Sequence, residues 1–167
     1  MTNKRPAMIF PQHARRWEVI EPDHYWHGHH ICDGLYLGSV EASNDYEWLT
    51  KHGITTVIRV IHPEEAKLEE YPGITYYQYP MYDGCGDIIK AFKAVQGCIQ
   101  DALALNGKVL VHCRAGKSRS ASIVIAYLMK SRGMCFDDAY NFVSEKRSAI
   151  DPCWQFMTDL RSSNFVP

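Results

Sequence analysis

The chain has 167 residues, 46% of them hydrophobic, and a formal net charge of −1. That is enough apolar material for one domain with a real core and too little for two, and the balanced charge excludes a global field for nucleic acid. No apolar run is long enough to span a bilayer, and Cys32, Cys85, Cys98, Cys113, Cys135 and Cys153 fall in no zinc spacing, so the expectation is a soluble protein with reduced thiols, cytoplasmic or nuclear.

Residues 1–27 lack hydrophobic periodicity and carry Pro6, Pro11 and Pro22. Lys4, Arg5, Arg15 and Arg16 meet no acidic residue before Glu18. This stretch reads as a partly ordered N-terminal arm, set apart from a domain over 28–167. Ile9, Phe10 and Trp17 would suit it to docking or to forming a homodimer. His24, His27, His29 and His30 crowd the junction. Imidazole is a common metal ligand, but no Cys or carboxylate stands at a convincing ligand spacing, so the junction reads as surface chain entering the first strand.

Ile31 to Gly38 reads as one short strand ending at a turn. Asn44-Asp45-Tyr46-Glu47 offers a capping box for a helix to Lys51, with Gly53 beyond its end. Ile54 to Ile61 is a β-branched run and reads as a buried strand. His62 to Pro72 is a glutamate-rich connection with room for one helical turn. Ile74 to Tyr79 is the next strand, ended by Pro80. Met81 to Asp87 is a loop with two glycines.

Ile88, Ile89, Phe92, Val95, Ile99, Ala102 and Leu103 then recur at helical spacing, with Asp87 at the N-cap and Asn106-Gly107 at the end. Val109-Leu110-Val111-His112 is a buried strand, Cys113 to Ser118 a short polar loop, and Ala121 to Met129 a mostly buried helix capped by Gly133. Phe136 to Arg147 is a further helix, with Asp137 and Asp138 in its first turn and Lys146 and Arg147 in its last, as the helix dipole favours. Pro152 opens a final helix to about Arg161. Strands alternating with helices predict a single α/β domain with a mostly parallel central sheet flanked by helices. Its ligand site is expected at the carboxyl ends of the strands.

The strand, loop and helix around Cys113 aim backbone N–H groups and a helix N-terminus at one point. Such a cradle favours a thiolate over a thiol, and it suits a phosphate ester equally well. Arg119 has the planar fork to grip two phosphate oxygens. A nucleophile inside a phosphate cradle implies attack on phosphorus and a cysteinyl-phosphate intermediate. The cradle itself is Arg114, Ala115, Gly116, Lys117, Ser118 and Arg119, with Gly116 allowing the tight turn. Expelling the leaving oxygen calls for a proton donor. Asp87 is best placed to cap a helix, so Asp83, earlier on the glycine-bearing loop, is the expected general acid and then the base for water. Cys85, on the same loop, reads first as a small loop residue; a reversible disulfide with Cys113 is the alternative.

His112-Cys113-x-x-Gly116-x-x-Arg119-Ser120 resembles the signature of the cysteine-dependent protein tyrosine phosphatase superfamily, and most of all its small dual-specificity branch. The resemblance covers roughly residues 28 to 163. It includes Ile31 to Ser39, the spacing of Asp83 and Asp87, Ala126-Tyr127-Leu128-Met129, and Arg147 to Pro152 followed by Phe156 and Leu160. Ser148 stands where the family often has proline, and Cys153 where asparagine is common. The resemblance implies the cysteine-phosphatase fold and hydrolysis of phosphotyrosine and of phosphoserine or phosphothreonine in phosphoproteins. It assigns Ser120 to helping the thiolate leave, while His112 supports the loop. It implies no cofactor and no metal. Two alternatives stay open. One is a phosphatase of a phosphoinositide or an RNA 5′ end, which Arg114 and Lys117 would suit. The other is a non-catalytic phosphate-binding module, which loss of the cysteine or arginine would signal.

Overall fold

The computed structural model describes residues 27–165. The expected N-terminal arm, and with it His24 and any role in docking or dimer formation, lies outside the described residues except for His27. The elements are β1 (His29–Cys32), β2 (Leu35–Gly38), α1 (Val40–Asn44), α2 (Tyr46–His52), β3 (Thr56–Val60), a 3₁₀ turn (Pro63–Glu65) and β4 (Thr75–Tyr79). There follow α3 (Ile88–Ala104), β5 (Val109–His112), α4 (Arg119–Arg132), α5 (Phe136–Lys146) and α6 (Trp154–Arg161). The five strands lie in the order β1-β2-β5-β3-β4. β1 runs antiparallel to β2 and the remaining pairs are parallel, as the alternating pattern predicts.

Two local readings need correction. The single strand expected over 31–38 is a hairpin, with β1 and β2 joined through Asp33 and Gly34 at φ values of +46° and +90°. Asp-Gly supplies two left-handed residues, which a two-residue hairpin requires. The capping box also divides differently. Asn44 ends α1, a helix the periodicity does not show, and its side chain bonds the Lys67 carbonyl and the Glu69 N–H. Asp45 is the cap of α2 and accepts from Trp48 N at 2.9 Å. At the other end Gly53 closes the helix at φ +67°.

The sheet separates two cores by the period of two that a strand imposes. Leu35, Leu37, Ile58, Val60, Val109 and Val111 face the larger core, with Phe92, Ile99, Ile125 and Phe156 from the helices. Tyr36, Val57 and Leu110 face the smaller one with Ala42 and Leu49. Each fully buried aliphatic side chain contributes about 1.5–3 kcal/mol. β5 sits between β2 and β3, and α4 behind it is buried from Arg119 to Ala126. The loop joining them is therefore anchored at both ends in the most buried elements of the molecule. No helix among the described residues is long and apolar enough to cross a membrane.

Candidate active site

The loop from Cys113 to Ser118 is held from outside by its carbonyl groups. Arg114 O accepts from Val40 N at 3.0 Å. Arg147 donates from Nη2 to Ala115 O at 3.1 Å and from Nε to Gly116 O at 2.9 Å. Lys117 O accepts from Asp151 N at 2.9 Å, and Ser118 O accepts from both Ser122 N and Ser122 Oγ. A loop whose successive carbonyls are committed on the protein side presents its N–H groups on the other, which is an anion nest. Gly116 has φ +67°, and a Cβ there would lie 2.4 Å from Gly38 O. Only glycine satisfies both the conformation and the approach.

Cys113 lies at the base of this loop, 2% exposed. Ser120 Oγ donates to its sulfur at 3.1 Å. His112 is fully buried, and its Nδ1 lies 2.9 Å from Cys113 O. A carbonyl only accepts, so Nδ1 carries the proton. Burial above all, with the Arg59 and Arg119 cations adding to it, pushes the imidazole pKa down to about 4 despite the bond to Cys113 O. His112 is thus a neutral buttress at physiological pH.

Arg119 opens α4 and is 3% exposed. Its Nη1 donates to Glu65 Oε1 at 2.5 Å, to Glu65 Oε2 at 2.6 Å and to Met81 O at 2.6 Å. Its Nε is buried with no hydrogen-bond partner. One corner of the guanidinium is therefore fixed by the chain, while a polar N–H beside the cradle awaits an acceptor. A cleft of about 400 Å³ opens here, lined by Glu65, Asp83, Cys113, Lys117, Arg119 and Asp151 among others. Asp83 lines that cleft and Asp87 does not. Asp87 caps α3, accepting from Lys90 N at 2.9 Å. Cys85 is exposed, and neither it nor any other described cysteine is in a disulfide.

Two residues here escaped the sequence reading. Glu65 sits in an undifferentiated run of glutamates, and nothing local distinguishes it from Glu64. Arg147 was expected to serve the dipole of α5. It lies just past the helix end instead, 1% exposed, tying the cradle to His27 O and His29 Nδ1. The described histidines of the junction go separate ways: His27 to Asp45, His29 to Arg147, His30 against the Tyr36 ring. Among the described residues no three His, Cys, Asp or Glu side chains are placed to hold a metal.

Residues 35–164 match the family model of the dual specificity phosphatase catalytic domain. The chain belongs to that family. It is 39% identical over 132 residues to human dual specificity protein phosphatase 2, and 37% identical over 132 residues to human dual specificity protein phosphatase 9. The match covers 78% of this chain in both cases, but only 41% and 34% of those relatives, so the chain spans little more than a third of their length. Among solved structures, the human tyrosine phosphatase-like serine/threonine/tyrosine-interacting protein superimposes with a TM-score of 0.76 at 36% identity, covering 81% of this chain and 94% of that one. The dual specificity domain therefore accounts for most of this chain, and the loop built on Cys113 lies within it.

Proposed function

We propose that the domain hydrolyses phosphomonoesters on phosphoproteins, at phosphotyrosine and at phosphoserine or phosphothreonine, through a cysteinyl-phosphate intermediate. The observation that carries this reading is Cys113 at the floor of a loop whose carbonyls all face outward, beside the unpartnered Arg119 Nε. Cys113 Sγ attacks phosphorus in line as the ester oxygen departs. The cradle amides and Arg119 hold the three non-bridging oxygens as charge redistributes. Asp83 protonates the leaving oxygen and then removes a proton from the water that cleaves the S–P bond. Ser120 Oγ, already on the sulfur at 3.1 Å, stabilises the departing thiolate. Arg119 and the amides supply the positive charge, so the reading requires no metal. A thiol nucleophile suits a reducing compartment, the cytoplasm or nucleus. The catalytic domain is taken as residues 28–167.

The presence of Cys113 and Arg119 favours an enzyme over a non-catalytic binding module. A polyanionic lipid or RNA end is a weaker fit, because Arg114, one of the two positive charges that suggested it, is engaged, and so is Arg119. Arg114 Nη1 donates to Glu65 O, and Arg119 is bound to the Glu65 carboxylate. Glu65, Asp83 and Asp151 line the cleft alongside Arg114, Lys117 and Arg119. A panel of phosphotyrosine and phosphothreonine peptides, phosphoinositides and triphosphate-ended RNA, assayed in a chelator, tests this. Turnover of both peptide types in the chelator is expected; turnover of only the lipid or RNA, or activity that needs a divalent ion, would overturn it.

A further inference from the structure

An acidic residue beside a phosphate site repels the substrate unless something balances it. Three carboxylates line the cleft together with Arg114, Lys117 and Arg119. Glu65 is bound to Arg119, and Asp83 Oδ1 accepts from Gly84 N at 3.0 Å. Asp151 is exposed, and among the described residues its carboxylate has no partner. Its position is set by the backbone, since Asp151 N donates to Lys117 O at 2.9 Å and two residues on Cys153 N donates to Ser118 Oγ at 3.1 Å. Pro152, between them, is buried. The chain then turns into α6 with Trp154, which is 72% exposed, the most exposed aromatic of the described residues. Asp151 lines the cleft, and Trp154 stands outside that lining, three residues on along the same segment hydrogen-bonded to the cradle; an unpaired carboxylate and a bare indole are the kinds of surface that receive a guanidinium or ammonium group. The carboxylate supplies charge-assisted hydrogen bonds and the indole face supplies cation–π attraction.

We propose that Asp151 and Trp154 form a subsite for a basic side chain of the substrate polypeptide, an arginine or lysine flanking the phosphorylated residue. The inference rests on the phosphoprotein reading above and narrows it: the preferred substrates are phosphosites next to positive charge. The phosphate enters the cradle, and the neighbouring cation meets the charge that would otherwise repel a phosphate there. The same carboxylate disfavours phosphosites embedded in acidic sequence.

The test is a set of phosphotyrosine and phosphothreonine peptides of one parent sequence. Each of the three positions before and after the phosphoresidue carries arginine, alanine or glutamate in turn. kcat/KM is read as the arginine-to-glutamate ratio at each position, within each enzyme variant, so a general loss of activity cancels. At one or two positions the ratio is expected to reach roughly tenfold and to shrink as salt is raised. Asp151→Asn and Trp154→Ala should each bring it close to one, Trp154→Phe should keep part of it, and Asp151→Lys should invert it. Peptides turned over with no dependence on flanking charge would overturn the subsite and leave the phosphoprotein reading standing. An arginine preference that survives in both Asp151→Asn and Trp154→Ala would overturn the assignment to these residues. Refusal of every peptide by an enzyme that hydrolyses p-nitrophenyl phosphate and a phosphoinositide would overturn both the subsite and the reading beneath it.

Discussion

The cradle and the loop that carries Asp83 meet at one cleft but are built in contrary ways. From Cys113 to Ser120 most residues are buried, and the carbonyls of Arg114 to Ser118 are each tied to another part of the chain. From Tyr82 to Asp87 every residue is exposed. That second loop is pinned by a few contacts. Met81 O meets Arg119, the Tyr82 ring stacks on His62 at 4.3 Å, and Tyr82 Oη donates to Glu64 at 3.1 Å. The difference suits the two tasks proposed for them. Groups that stabilise developing charge work best when already oriented before reaction. A proton donor has to reach different leaving groups and cannot be sealed in the core. Changes to the cradle should therefore affect all substrates alike, while changes to the acid loop should depend on the leaving group.

The largest effect is expected from Cys113→Ser. It should remove turnover by about 10⁴-fold or more, the scale seen when a covalent nucleophile is deleted, for every substrate tested. Phosphopeptide binding by the variant should persist, because the cradle is intact. Substantial activity in this variant would remove the cysteine from the mechanism.

Asp83→Ala should lower turnover of phosphopeptides by roughly 10²–10⁴-fold, and far less for p-nitrophenyl phosphate, whose leaving group needs little help. Asp87→Ala should instead lower stability by ~1 kcal/mol, as loss of an N-cap does, measured by urea denaturation. If the leaving-group dependence follows Asp87, the two roles are exchanged.

Glu65 sharpens the comparison because it braces the cradle from outside. Glu65→Ala frees the guanidinium corner that meets Glu65 and Met81, and kcat/KM should fall by up to about 10²-fold through misplacement, with weaker binding of vanadate. Glu65→Gln keeps an acceptor and should recover much of both. Equal loss in the two variants would show that charge, and not orientation, is what Glu65 supplies.

The smallest effect is a pH dependence confined to the cradle. His112 is held neutral down to about pH 4 in the folded chain, whereas an unfolded histidine takes its proton near 6.5. Between those values the unfolded state binds more protons, so stability falls as pH falls through that window, by about 2 kcal/mol at pH 5. Denaturant titrations from pH 7.5 to 4.5 should show this slope, and His112→Asn should lack it. An unchanged slope in the variant would place the titration elsewhere.

Legibility followed the range of the interaction that fixes each residue. The signature could be read because its chemistry is local: a buried apolar strand, a glycine at φ +67° and a helix start lie within a dozen residues. The cap at Asp87 was legible for a similar reason, since capping is decided by the next three residues. The hairpin at Asp33-Gly34 was also locally encoded, and reading one strand there passed over a strong turn pair. Glu65 and Arg147 were not legible. Their partners lie 54 and 31–32 residues away, and no spacing rule connects such positions.

The amino-acid sequence by itself determined the alternation of elements, the mostly parallel sheet, and the placing of Cys113, Arg119 and Ser120 at one loop, because these rest on periodicity, turn chemistry and a short fixed spacing. Tertiary structure alone decided which of several glutamates holds Arg119, that Arg147 is buried against the loop carbonyls, and that Asp151 shares a cleft with Cys113. Those outcomes depend on which distant segments the sheet order β1-β2-β5-β3-β4 brings to one end of β5. A buried charge acquires its partner only when the packing that removes water also supplies the opposite group.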